Sequence, residues 1–146
     1  MSAPKEVVER HLAAFNAKDA DAEPHRADAE VVAPGAQPRG RDQILDWFRG
    51  YWEAFPDANL EIDQSIESGQ HVANEGRLVG THTGVLRTPD GDVPPTGRSV
   101  NLRWMAMYEV AGDEIVFEHL YFDSMEFLTQ LGIAPGAEAE TAVGGA

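Results

Sequence analysis

"RDQILDWFRGYWEAFPDANLEIDQSIES", residues 41–68, changes its hydrophobic period in the middle, and that change decides the fold. Ile44, Phe48, Tyr51 and Phe55 recur at steps of three and four, the spacing of one helical face. Pro56 stops the helix. Beyond it Leu60, Ile62, Gln64 and Ile66 alternate with Glu61, Asp63, Ser65 and Glu67, the period of a half-buried strand. An amphipathic helix carrying Trp47 and Trp52 thus runs directly into a strand.

Upstream the pattern is helical. "PKEVVERHLAAFNAKD" sets Val8, Leu12 and Phe15 at helical spacing, with Pro4 tolerated in the first turn. A second, short, alanine-rich helix is expected around Asp19 to Ala27, and a short early strand is possible at "EVVAP". Downstream the pattern is strand. "HVANEGRLVGTHTG" follows the turn "SGQ", and "RTPDGDVPPTGR" reads as a long hairpin connection dense in Pro and Gly. "SVNLRWMAMYEV" places Val100, Leu102, Trp104, Ala106 and Tyr108 on one face, and "EIVFEHLYFDSMEFLTQLG" is a last strand entering a short helix. Helices grouped ahead of antiparallel strands specify an α+β architecture. The curved antiparallel sheet wraps around the N-terminal helices and leaves a cone-shaped pocket open at one end.

Bulk properties bound the function. The 146 residues suit one domain, expected over 1–132, with 133–146 expected to be a disordered tail of small residues. No apolar run approaches the roughly 18 residues that span a membrane, and "MSAPKEVVER" lacks a signal-peptide pattern. The absence of cysteine rules out disulfides and thiolate metal sites, and a cytoplasmic location is the simplest expectation. With 25 acidic against 11 basic residues the formal net charge is −14, and no basic patch for nucleic acid is visible. The acidic run "KDADAEPHRADAE" is expected to be a solvated face. Neither Glu nor His occurs at metal-ligand spacing, and phosphate-loop, dinucleotide and serine-elbow patterns are absent, so neither metal nor cofactor is expected.

"AFPDANLEI", "LVGTHTGVL", "VPPTGRSV" and "FDSMEFLTQLG", in this order, resemble the SnoaL-like polyketide cyclases of the nuclear transport factor 2-like superfamily. The resemblance runs from the first helix to Gly132. It implies a cone-shaped α+β barrel, a homodimer, an apolar pocket and no metal. It further implies ring closure by intramolecular aldol condensation, with an aspartate on the last strand as acid/base and a histidine on the strand before as helper. Carried over without gaps, the aspartate's position falls on Leu120 and the helper's near Ala106; Asp123 matches a second aspartate three residues on. The chain departs from the family's pattern at both catalytic positions.

The residues themselves offer other proton carriers. Asp123 opens "DSME", which reads either as a capping box or as a catalytic acid at the pocket rim. Glu118 shares a strand face with Leu120. It either faces the apolar cone, where its pKa would rise, or lies outside and pairs with a charge such as Arg103. His119 points the other way. His82, in "GTHTG", lies by alternation on the face of Val72, Asn74 and Leu78 and is the histidine expected to reach the pocket. Gln64 and Asn74 are inward by the same parity. Trp47, Tyr51, Trp104 and Tyr108 form either ordinary core or an aromatic wall that binds substrate with Leu120.

Besides a dimerisation scaffold with a filled cone, two functions fit these residues. One is an acid/base enzyme acting on a small, mostly apolar, carbonyl-bearing substrate, with Glu118, His82 and Asp123 sharing proton transfer. The other is a binding protein holding an apolar small molecule without chemistry. A homodimer is expected through the outward sheet face, where Met105, Met107 and Phe117 alternate.

Overall fold

The structure, a computed structural model, describes residues 2–133. Of the tail expected over 133–146, all but the exposed Ile133 lies outside these residues. Helix α1 (Pro4–Ala17) starts with Pro4 in its first turn and buries Val7, Val8, His11, Leu12, Ala14 and Phe15. It stops at Lys18, whose φ of 56° is left-handed. The helix expected over Asp19 to Ala27 is reduced to one 3₁₀ turn, Ala20–Ala22, capped by the Asp19 carboxylate. Pro24 ends it, and the Pro24 carbonyl accepts from the Ile115 N–H at 2.7 Å, so the chain is already pairing. Strand β1 (His25–Val32) therefore begins five residues earlier than "EVVAP" suggests.

Helix α2 (Arg41–Ala54) buries Ile44, Leu45, Phe48 and Ala54, and Phe55 caps it just before Pro56. Four long strands follow in part as the alternation predicts: β2 (Asn59–Ser68), β3 (His71–Thr81), β6 (Ser99–Ala111) and β7 (Glu114–Phe122). Between β3 and β6 the Pro- and Gly-rich connection folds into a separate hairpin, β4 (Leu86–Thr88) and β5 (Gly91–Val93). Helix α3 (Ser124–Gln130) closes the described chain, with Phe127 packed 6.0 Å from Phe55 and 6.2 Å from Phe122 between ring centroids.

The five long strands form one sheet in the order β1-β7-β6-β3-β2. The sheet is the curved one expected, with one parallel pair, because β1 runs parallel to β7. It is open, with β1 and β2 as its edges. Helices α1 and α2 pack across it and close the cone, burying Val7, Val8, Leu12 and Phe15 with Ile44 and Phe48 against Val72, Leu102 and Ile115. Strand β6 alternates without a break, with Val100, Leu102, Trp104, Ala106, Tyr108 and Val110 buried.

Strand β2 does not keep its alternation. Its register with β3 shifts between Ile62 and Gln64. The strands approach closely there: a side chain on Gly76 would run into the Glu61 carbonyl and sit 3.1 Å from the Trp104 ring. The extra residue turns the rest of β2 over. Gln64 consequently faces solvent instead of the cone, contrary to its parity. No helix among the described residues is long and apolar enough to cross a membrane.

Candidate active site

The cone is lined from both layers. Helix α1 gives His11 and Phe15; α2 gives Trp47, Phe48 and Tyr51; the sheet gives Leu60, Leu78, Leu102, Trp104, Tyr108, Glu118, Leu120 and Phe122. The cavity measures about 60 Å³, room for a few waters, and about 550 Å³ when the solvent-filled mouth is counted with it. At the mouth Trp47, Tyr51 and Phe122 also border a groove of about 630 Å³ that runs between α2, α3 and the β4–β5 hairpin. Trp104 Nε1 and Glu118 Oε1 are buried polar atoms of this lining without a hydrogen-bond partner in the protein. Native proteins seldom leave such atoms unpaired, so water or a ligand is expected to meet each of them.

Leu120 and Ala106, where the family resemblance places a catalytic pair, do face one another across β6 and β7. One step deeper along the same strands, Tyr108 faces Glu118. Glu118 is only 3% exposed, which excludes its surface reading; Arg103 pairs with Glu126 instead, at 3.3 Å. Burial pushes the Glu118 carboxyl up to about 7, with His11 pulling the other way and Glu23 adding to the rise. Burial, followed by the charges of Glu118 and Glu23, holds Tyr108 well above 10, and burial pushes Tyr51 to about 12. Both tyrosines are therefore neutral donors.

Beside Glu118 lies a group that sequence reasoning missed. His11 Nδ1 is 2.7 Å from Glu23 Oε2, and His25 Nδ1 is 3.2 Å from the same oxygen. The second approach is too oblique for a hydrogen bond, leaving His25 Nδ1, His25 Nε2 and Glu23 Oε1 unpartnered. Glu23 and His25 are buried at 2% exposure each, so the acidic run is not wholly a solvated face. Arg41 fixes this segment: its guanidinium donates to the carbonyls of Ala20, Asp21, Glu23 and His25. The three ligand atoms lie within 4.8 Å of one another, a grouping that spacing in the sequence does not show. Folding, rather than spacing, brings residues 11, 23 and 25 together. A nitrogen–oxygen distance of 2.7 Å is that of a hydrogen bond, and the neighbouring Arg41 charge disfavours a cation. The signal available in the sequence was His11 itself, a polar residue in the Val7, Val8, Leu12, Phe15 stripe.

Among the other expected site residues, Trp47, Tyr51, Trp104, Tyr108 and Leu120 lie in the lining. Asn74 is inward and 1% exposed but stands outside the lining, with Oδ1 unpartnered. Gln64 is exposed on the outer face. His82 does not reach the cone. Strand β3 ends at Thr81, and the chain turns so closely past α2 that a side chain on Gly84 would meet the Glu53 carbonyl. Alternation therefore does not carry to His82. Its ring lies 5.3 Å from Phe55, and its Nδ1 accepts from the Thr96 N–H at 3.2 Å. Asp123 is exposed, and its carboxylate accepts from the N–H groups of Met125 and Glu126 as the N-cap of α3. His119 lies on the outer face between Phe117 and Tyr121.

A family model described as SnoaL-like polyketide cyclase matches residues 5–131. No curated protein matches significantly. Among solved structures, IdmH from Streptomyces antibioticus, a proposed polyketide cyclase, is 27% identical; the match covers 89% of this chain and 99% of that one, with a TM-score of 0.75. AclR from Streptomyces galilaeus, a proposed hydroxylase, is 21% identical over 90% of this chain and 97% of its own, with a TM-score of 0.76. A protein of ketosteroid isomerase-like fold from Catenulispora acidiphila, solved in complex with trimethylamine, is 23% identical over 94% and 98%, with a TM-score of 0.74. The last two likenesses concern the fold alone.

Proposed function

The chain belongs to the SnoaL-like polyketide cyclase family, and from that premise we propose that it is an acid/base enzyme acting next to a carbonyl on a small, ring-bearing, mostly apolar molecule. The observation that carries the reading is Glu118, buried in an apolar wall with Oε1 unpartnered and its pKa near 7. A carboxylate poised there takes a proton from carbon more readily than one at an ordinary pKa. Ring closure, isomerisation and dehydration all begin with this step. It moves protons alone, so it requires neither metal nor redox cofactor.

The aromatic walls would sandwich a ring, and the groove at the mouth would hold whatever extends beyond the cone. A substrate larger than the present cavity must part Trp47 and Tyr51 on entry. The relative IdmH supports polyketide-type cyclisation as the leading reaction. Binding without turnover is the second reading, favoured by Leu120 and Ala106 at the family's catalytic positions. The functional unit is a homodimer formed through the outer sheet face, where Met105, Met107 and Tyr121 are 49%, 45% and 57% exposed. Sedimentation at micromolar concentration should give a species of twice the 15.9 kDa chain mass, and a single 15.9 kDa species would refute the dimer.

A fused-ring ketone such as 2-tetralone tests the chemistry without the natural substrate. In deuterated buffer the protein should accelerate exchange of the protons beside the carbonyl. Glu118→Gln should lower that rate by about 100-fold or more while still quenching tryptophan fluorescence on binding. Full exchange in the Gln variant would reject Glu118 as the base. Binding with no accelerated exchange in the wild type would favour the binding protein.

A further inference from the structure

We propose that His11 is a second catalytic residue, donating from Nε2 to the carbonyl oxygen of the substrate, and that Glu23 is the positioning residue that holds it in the required tautomer. This rests on the reading of Glu118 as the base.

His11 lines the cone from the helix side, opposite the strand that carries Glu118. Its Nδ1 is taken up by Glu23 Oε2 at 2.7 Å, which leaves Nε2 as the nitrogen free to face a ligand. A carboxylate on Nδ1 fixes the proton there and makes Nε2 the working atom, accepting when the ring is neutral and donating when it is charged. The ring has little freedom. It stacks on Phe48 at 5.4 Å and 25°, meets Tyr108 at 5.8 Å, and abuts His25 edge-on at 5.0 Å.

The groups around His11 favour its charged form. Burial alone would lower its pKa, but the charge of Glu23, the hydrogen bond to it and the charge of Glu118 together raise it above 6.5. Burial would raise Glu23, yet the charge of His11 and the hydrogen bond from it bring it below 4.5, so Glu23 is ionised at neutral pH. Burial lowers His25 below 6.5 against the opposing pull of Glu23, and the charges of His11 and Arg41 add to the fall. His25 is thus neutral and does not displace His11 from Glu23. Tyr108, the remaining titratable neighbour, is a neutral phenol.

The step balances without any other reactant. Glu118 takes a proton from the carbon beside the carbonyl, and the C–H electron pair becomes the carbon–carbon double bond of an enol. The carbonyl oxygen gains the proton that leaves His11 Nε2. The products are the enol, a neutral imidazole still hydrogen-bonded to Glu23, and protonated Glu118. Return of a proton to carbon regenerates both groups. Activity requires Glu118 ionised and His11 charged, so the rate against pH is bell-shaped, its two limbs set by Glu118 and His11 as a coupled pair.

Nitrogen-detected NMR of the ¹⁵N-imidazoles, assigned with His11→Gln, tests this directly in the unmodified protein. His11 should titrate above 6.5, and its neutral form should carry the proton on Nδ1. Titration below 6.5, or a neutral ring protonated on Nε2, overturns the proposal. Glu23→Gln should move the falling limb of 2-tetralone exchange to lower pH and cut the maximal rate about tenfold, with fluorescence-detected binding unchanged. An unshifted limb also overturns it. If Glu118→Gln abolishes exchange while the His11 results fail, this inference falls and the base assignment stands; if Glu118→Gln exchanges fully, the base assignment itself is lost. Stoichiometric binding of added zinc, removed by Glu23→Gln, would reassign the trio to a metal and overturn the proposal.

Discussion

Glu118 and Asp123 stand five residues apart at the two ends of one problem, the floor of the cone and the rim where β7 stops. At the rim, Asp123 is exposed and its carboxylate accepts from two otherwise free helix amides, Met125 and Glu126. At the floor, Glu118 is buried among aromatic rings with Oε1 unpartnered. Water and backbone donors stabilise the first charge, and almost nothing but the nearby His11 stabilises the second. Identical chemistry therefore yields a structural cap in one place and a proton carrier in the other. The environment, more than the residue type, assigns the role.

The largest effect expected is at the floor. Besides its loss of exchange activity, Glu118→Gln should be more stable than the wild type at high pH. A carboxyl raised from 4.5 to about 7 binds more protons folded than unfolded between those values, so wild-type stability falls as pH rises through that window. The variant escapes that fall. Its advantage should be absent below pH 4.5, should grow across the window, and should level off at roughly 3 kcal/mol above it. Denaturant melts at pH 4, 6 and 8 check this, and an advantage independent of pH would place Glu118 in a water-like environment.

Arg41→Ala comes next, because Arg41 holds the segment that presents Glu23 and His25 to the floor. Loss of its bonds to four carbonyls should cost about 2–3 kcal/mol. Exchange activity should fall even where the variant remains folded. A variant of wild-type stability and activity would show that the 20–25 segment orders itself.

The two faces of β6 give a smaller contrast. Trp104→Ala, inside the cone, should weaken binding of 2-tetralone by roughly tenfold, whereas Met105→Ala, outside it, should leave binding unchanged. Equal effects in a fluorescence titration would mean that the ligand does not enter the cone.

The smallest effect is at the rim. An N-cap needs only an acceptor, so Asp123→Asn should be nearly neutral and Asp123→Ala should cost about 1 kcal/mol. Neither should slow exchange. Loss of activity in Asp123→Asn with unchanged stability would reverse the two roles.

Much of this was legible in the sequence wherever one period held. Strand β6 alternates without interruption, so Trp104 and Tyr108 could be placed inward and Met105 and Met107 outward. The same rule put Glu118 and Leu120 on one face of β7 and left open whether that face is the inner one. The rule broke where the backbone broke. The register shift at Ile62/Gln64 turned Gln64 outward, and the turn after Thr81 took His82 away from the cone. Neither event has a mark in local composition beyond Gly76 and Gly84, whose meaning depends on what packs against them. The His11, Glu23, His25 group was hidden for another reason. Its members come from a helix, a turn and a strand whose parallel pairing with β7 exists only in the folded chain.

The most direct test is a carbon-detected NMR titration with glutamate labelled at the side-chain carboxyl, the Glu118 signal being assigned by its loss in Glu118→Gln. That carboxyl should titrate near 7. A Glu118 midpoint at the ordinary 4.5 would contradict a desolvated base in the cone, and with it the proposed chemistry.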